Sequence, residues 1–132
     1  MNSSLSALFI WTSTLFNLPP GLQSAICWVE SGHNVRAMHF DDNGANSVGV
    51  CQIRLSTARL LGFQGSEQDL RLPRNNVYYS GKYLHSQYLR YNRNILKTIS
   101  AYNAGSAPLN EKGQIRNIRY VNKVLRAWLE KK

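Results

Sequence analysis

Apolar residues recur along this chain at the spacing of helical faces. Leu5, Leu8, Phe9, Thr12, Leu15 and Phe16 follow an i, i+3, i+4, i+7 pattern, which predicts an amphipathic first helix with Ser3 or Ser4 as its N-cap. Pro19-Pro20-Gly21 breaks that helix, and Pro20 is placed to open the next one near its first turn. Leu22, Ala25, Ile26 and Val29 form the stripe of the second helix, which Gly32 stops. From Asn34 to Val50 the chain is rich in Asp, Asn and Gly, which predicts a loop or a short hairpin near residues 36–50. Cys51 to Leu61 resumes a helical pattern that Gly62 ends. Ser66-Glu67-Gln68-Asp69 has the form of a capping box ahead of a short turn interrupted at Pro73.

A further stripe, Val77, Gly81, Leu84, Tyr88 and Tyr91, predicts a helix over Asn75 to Tyr91. Gly81 inside it costs about 1 kcal/mol relative to Ala, which predicts close packing against a neighbouring helix. Asn94 to Ala104 and Ile115 to Trp128 complete the set, with Ile118, Val121, Val124, Leu125 and Trp128 facing inward on the last. There is no internal repeat, heptad run or low-complexity tract. The expectation is a mainly α fold with, at most, a minor β hairpin, built as a single domain over residues 1–132. At 132 residues, with 43% hydrophobic and 17% charged residues, such a chain sustains a core and is not disordered.

Charge is unevenly placed. Residues 71–132 hold 13 of the 16 basic residues against Glu111 and Glu130 alone, a net +11, whereas residues 1–70 sum to −2. A basic half implies a polyanionic partner, and nucleic acid, a membrane surface and an anionic wall polymer all qualify. No apolar run is long enough to span a membrane. Leu5 to Trp11 is not preceded by Lys or Arg and not followed by a small-x-small site, so it is not read as a signal peptide. Two cysteines, read as free, then point to a reducing cytoplasm. Asp41-Asp42-Asn43-Gly44 lacks the Glu of a calcium loop and reads as a turn. His33, His39 and His85 have no metal spacing, so no metal or cofactor is expected.

Glu30 stands out. A carboxylate in the last turn of an apolar helix opposes the helix dipole, and partial desolvation raises its pKa toward that of a general acid. An ordinary surface Glu near a helix end is the plain alternative. The surrounding segment, Ala25-Ile26-Cys27-Trp28-Val29-Glu30-Ser31-Gly32-His33-Asn34, resembles the catalytic Glu-Ser segment of the soluble lytic transglycosylases, a family with a goose-lysozyme-like fold. Gly49-Val50-Cys51-Gln52-Ile53 resembles the family's Gly-Leu-Met-Gln motif, with Ser56-Thr57-Ala58-Arg59 following. Ala101-Tyr102-Asn103-Ala104-Gly105 matches its Ala-Tyr-Asn-Ala-Gly motif, and Tyr120-Val121 fits the tyrosine of its final helix. The landmarks keep the family's order and cover roughly residues 18–125.

The resemblance implies cleavage of the β-1,4 bond between N-acetylmuramic acid and N-acetylglucosamine in peptidoglycan. Glu30 alone would protonate the glycosidic oxygen and then deprotonate the muramic 6-hydroxyl, giving 1,6-anhydro ends. It also implies that Gln52, Tyr102 and Asn103 bind substrate, with Tyr120 beside the carboxyl; Tyr102 and Tyr120 also fall on apolar stripes, so a core role is the alternative for both. Ser31 is expected to brace the Glu30 helix end or to bind substrate. A two-carboxylate glycosidase needs a second acid within about 5–10 Å, and only Asp41 and Asp42 lie in a loop expected to border the cleft. Many relatives carry a serine about nine residues after the Glu; His39 stands there, and neither His39 nor Ser47 is assigned that role. Cys51 replaces the usual methionine and is expected to pack as a small hydrophobe, a Cys27–Cys51 bridge being the lesser alternative.

Three rivals stay open at this point. A goose-type lysozyme would leave reducing ends by hydrolysis. A basic helical nucleic-acid-binding protein would use Tyr78, Tyr79, Tyr83, Tyr88 and Tyr91 for stacking, but would leave the Glu and Asn-Ala-Gly landmarks unexplained. A wall-binding or virion structural domain that kept the fold and lost activity would have no need of Glu30. The leading expectation is a monomeric peptidoglycan-cutting enzyme that binds no nucleic acid. A short chain without export signal or wall-targeting repeats resembles a bacteriophage lysin. It would be held in the host cytoplasm until lysis, as an endolysin, or carried on the virion, and would act in the periplasm or cell wall.

Overall fold

The computed structural model describes residues 3–41 and 44–132. In chain order the elements are helices α1 (Ser3–Leu15) and α2 (Leu22–Ser31), strands β1 (Met38–His39), β2 (Ser47–Val48) and β3 (Ile53–Arg54), then helices α3 (Leu55–Leu60), α4 (Glu67–Leu70), α5 (Pro73–Arg90), α6 (Ile95–Ala104) and α7 (Ile118–Leu129). The strands form an antiparallel sheet in the order β1-β2-β3, with Met38 opposite Val48 and Val48 opposite Ile53. Asp42 and Asn43, read above as turn residues, lie outside the described residues, as does the cap of α1, because both Ser3 and Ser4 are already helical. Among the described residues no helix is long and apolar enough to cross a membrane.

Most predicted helices are present, and the reasons they end are those of the sequence. Gly32 adopts φ +65° and closes α2, with its N–H bonded to the Trp28 carbonyl at 2.7 Å. Ser66 and Asp69 form the reciprocal capping box of α4, and the Asn94 side chain caps α6 through the Lys97 N–H. Gly81 gives α5 its close approach to α1: a Cβ there would stand 3.2 Å from Phe16 Cδ2 and from Thr12 Cβ.

Four expectations are corrected. Cys51 to Arg54 is not helical; Ile53–Arg54 pairs with β2 and the helix begins only at Leu55. The cause is tertiary. Asn76 of α5 donates to the Val48 carbonyl at 2.8 Å and the Leu70 carbonyl at 2.9 Å, and its Oδ1 accepts from the Cys51 N–H at 2.8 Å. Those bonds pin the Val48–Cys51 turn against α5, and Ile53 leaves the turn paired with Val48 in the sheet. Pro73 starts α5 instead of interrupting a turn, since the first helical position needs no N–H donor. Leu15 and Ile118 are 52% and 42% exposed rather than inward. α1 carries no charged residue and mixes apolar residues with Ser and Thr, so periodicity alone does not choose its buried face, and Ile118 is the first residue of α7.

The cysteines are the fourth correction. They are not free: Cys27 of α2 and Cys51 are joined as a disulfide, and both are fully buried. They meet inside a cluster with Leu5, Phe9, Val50 and Val77, where the sharp turn at Gly49 folds the chain back onto α2. Gly49 has φ +83°, and a Cβ on it would stand 2.2 Å from Asn76 Nδ2. Gly49→Ala is therefore expected to destabilise the fold by about 2 kcal/mol, from left-handed strain and displacement of the Asn76 clamp. Urea unfolding of both proteins tests this; an unchanged midpoint would mean that the clamp does not hold the turn.

Candidate active site

Glu30 lies in the last turn of α2, where the helix dipole disfavours a negative charge. Its side chain is half-buried and lines a cleft of about 470 Å³ between the small sheet and the end of α6. His39, Ser47, Gln52, Arg54 and Thr57 line one wall; Tyr83, Tyr102, Asn103 and Gly105 line the other. Tyr120 reaches in from α7 and donates a hydrogen bond from its hydroxyl to Glu30 Oε2 at 2.7 Å. The disulfide ties α2, one turn before Glu30, to the turn that ends in Gln52.

The other sequence-derived residues divide by what their polar atoms do. Gln52 lines the cleft in a left-handed backbone conformation, φ +52°, unusual for a residue with a side chain. Its amide nitrogen donates to the Ala37 and Gly49 carbonyls at 3.1 and 2.9 Å. Asn103 is exposed at the rim, with its Oδ1 accepting from Asn117 Nδ2 at 3.1 Å. Tyr102 presents its ring to the cleft, but its hydroxyl is buried, donating to the Cys51 carbonyl at 2.8 Å and so accepting from Ser80 Oγ at 2.8 Å. That phenol anchors the Gln52 turn to α5 and α6. Ser31 is outside the cleft lining: its hydroxyl donates to the Val50 carbonyl at 2.6 Å and accepts from the Asn34 N–H at 3.1 Å. This geometry places Ser31 between α2 and the Val50 turn, away from the residues that line the cleft.

Burial raises the Glu30 pKa above the usual carboxyl range, while the Tyr120 hydrogen bond and the charge of His39 each pull it back. Tyr120 is pushed well upward by burial, then by the Glu30 charge and by donating to it. Tyr102 is raised for similar reasons, burial first. Both phenols therefore stay neutral donors beside a carboxyl that keeps its proton to higher pH than a free one.

Residues 7–124 match the family described as "Transglycosylase SLT domain". The chain belongs to that family. As an SLT domain it is of the lytic transglycosylase class, enzymes that cut peptidoglycan glycan strands. Protein IpgF of Shigella flexneri is 29% identical over 116 residues, covering 86% of this chain and 74% of that protein. Among solved structures, an inactive mutant of the lytic transglycosylase Slt of Pseudomonas aeruginosa superposes with a TM-score of 0.76 at 21% identity. It covers 96% of this SLT domain, which in turn spans 23% of that chain. The 70-kDa soluble lytic transglycosylase of Escherichia coli gives a TM-score of 0.66 at 23% identity, with 96% and 20% of the two chains covered. The mainly helical, lysozyme-like fold expected from the sequence is thus the fold of this family.

Some residues of the site carried no signal in the sequence. Tyr83 appeared only as one of several tyrosines on α5, yet its ring packs 5.3 Å from that of Tyr102 and lines the cleft. Asn117 orients Asn103 and also donates to the Ser100 carbonyl at 3.0 Å, joining the end of α6 to the start of α7. By its spacing Asn76 is only a position within the helix predicted over Asn75 to Tyr91. A buried Asn beside a glycine turn is recognisable only once the two segments are known to meet.

The Tyr120–Glu30 bond makes a directional prediction. The bond favours the ionised carboxyl, so Tyr120→Phe is expected to raise the Glu30 pKa further. The alkaline limb of the kcat/KM profile should then move to higher pH, with roughly a tenfold lower maximum from lost orientation. A limb that stays put would show that the phenol is not bonded to the titrating group.

Proposed function

We propose that this SLT domain cleaves the β-1,4 bond between N-acetylmuramic acid and N-acetylglucosamine with Glu30 as its sole acid and base. The observation that carries this reading is that Glu30 is the single carboxyl lining the cleft among the described residues. Asp41, the nearest rival by sequence, has Oδ2 paired with Arg54 at 2.8 Å and is absent from that lining. A lone carboxyl must perform both proton transfers, and a pKa raised by burial suits the first. Glu30 gives its proton to the bridging oxygen as the C1–O bond breaks, and the N-acetylglucosamine leaves as an alcohol. The carboxylate, held by Tyr120, then takes the proton of the muramic 6-hydroxyl while that oxygen bonds to C1. The enzyme ends as it began, protonated, and the product carries a 1,6-anhydro ring.

Gln52 and Asn103 are the polar groups best placed to hold neutral hydroxyl and acetamido groups along the cleft, being bound to the protein yet facing it. The domain acts as a monomer on glycan strands rather than on nucleic acid. The buried disulfide supports a working place outside the reducing cytoplasm, in the wall compartment. A phage lysin released at lysis and an enzyme exported to the wall both satisfy that condition. Mass spectrometry of digested peptidoglycan tests the chemistry: anhydro-muramic ends are expected, and reducing ends alone would make the protein a hydrolytic lysozyme.

A further inference from the structure

We propose that the outer face of α1 is a docking surface for an anionic lipid bilayer. No charged side chain occurs among residues 3–29. Leu5, Phe9 and Thr12 of α1 turn inward, which leaves Ala7, Ile10, Trp11, Thr14 and Leu15 on one outward ridge. Ile10 is 66% exposed and Leu15 52%, values a solvated helix of this length would give to polar residues. Beside the ridge runs a groove of about 770 Å³, walled by Phe9, Ile10, Leu18 and Trp128 and edged by Lys131 and Lys132. The ridge and groove lie outside the lining of the Glu30 cleft.

The charges around this face select its occupant. On one flank the Arg74 guanidinium sits 5.5 Å from the centre of the Trp11 ring. On the other, Lys131 and Lys132 border the groove, and Lys132 Nζ lies 5.0 Å from the Trp28 ring centre. No acidic side chain lines the groove among the described residues, and Glu30 faces the cleft instead. An apolar, uncharged ridge bordered by cations and tryptophans matches a layer whose surface is anionic and whose interior is hydrocarbon. Tryptophan rings favour the boundary between those two zones. A second copy of this chain fits poorly, because self-pairing would set Arg74, Lys131 and Lys132 against their own equivalents in a protein already at +9. With 13 residues α1 is too short to span a bilayer, so it lies along the surface and sinks its ridge into the headgroup boundary.

The test is cosedimentation of the full chain with vesicles of phosphatidylcholine alone and of phosphatidylcholine mixed with phosphatidylglycerol. Binding is expected only to the anionic vesicles, with a blue shift of tryptophan emission. Ile10→Ser combined with Leu15→Ser should weaken partition by about tenfold or more, while cleavage of soluble peptidoglycan fragments stays at the wild-type rate. Arg74→Gln with Lys131→Gln and Lys132→Gln should remove the preference for anionic lipid. Quenching of wild-type emission by brominated phosphatidylglycerol, reduced in Trp11→Phe, reports insertion without altering the ridge's aliphatic residues. Equal binding by wild type and the serine variant would overturn the proposal, because general cation adsorption would then explain retention. So would failure to bind either vesicle. A concentration-dependent dimer that the serine variant abolishes would assign the face to a second copy.

Discussion

Glu30→Gln is expected to lower peptidoglycan cleavage by on the order of a thousandfold or more while the protein stays folded, because the only cleft-lining carboxyl among the described residues is then unable to give or take a proton. Gln retains the shape and an oxygen that accepts from Tyr120, so circular dichroism should be unchanged. The same substitution carries a stability signature whose sign follows from the raised pKa. Well below the unfolded Glu pKa of about 4.3, the carboxyl is protonated in both folded and unfolded chains, and burial adds no charge penalty. As pH climbs, the unfolded chain ionises first while the folded one still holds its proton, so wild-type stability declines until the folded carboxyl also ionises. Glu30→Gln escapes this decline. The gap between the two melting temperatures should be smallest in acid and widen as pH rises, with the variant the higher-melting protein at pH 8. A variant that keeps half the wild-type rate removes Glu30 from its proposed role, and one that melts lower at pH 8 than wild type shows that burial does not penalise the carboxylate.

The disulfide supplies the second large effect. Cys27→Ala with Cys51→Ala opens a bridge of sequence separation 24, and loop-closure entropy puts the loss near 3 kcal/mol. For a domain of this size the melting temperature should fall by roughly 10 °C. Activity should fall as well, even at temperatures where the variant is folded. The bridge connects the helix that carries Glu30 to the turn that carries Gln52, and small misplacements of reacting groups are costly in rate. Across that joint the Ser31–Val50 hydrogen bond would remain, while the Tyr102–Cys51 bond holds the turn to α6 and not to α2. Calorimetry and turbidity assays on the double variant check both parts. An unchanged melting temperature would show that packing in the Leu5–Phe9–Val77 cluster suffices without the bond.

The two effects belong to different levels of the molecule. Glu30 acts through its own protonation, whereas the cysteines act through where they hold Glu30 and Gln52. Residues of the second kind are the ones the linear pattern conveyed least. The helices, their glycine stops and the capping box at Ser66 were legible because each depends on side chains within about one helical turn. Glu30, Gln52, Tyr102, Asn103 and Tyr120 were legible as members of short motifs kept in order.

What those motifs left open was which polar atoms face the cleft. Tyr102 spends its hydroxyl on Cys51 and Ser80, and Ser31 spends its own on Val50, so neither hydroxyl faces the cleft. The third strand, the Cys27–Cys51 bond and the Asn76 clamp all depend on α5 meeting the Val48–Ile53 segment, between 25 and 28 residues apart along the chain at its hydrogen bonds. Local spacing encodes periodicity and caps, which involve neighbours in the chain. Register between distant segments is chosen by burial and by the pairing of polar groups that no longer meet water, and that choice exists only in the folded protein.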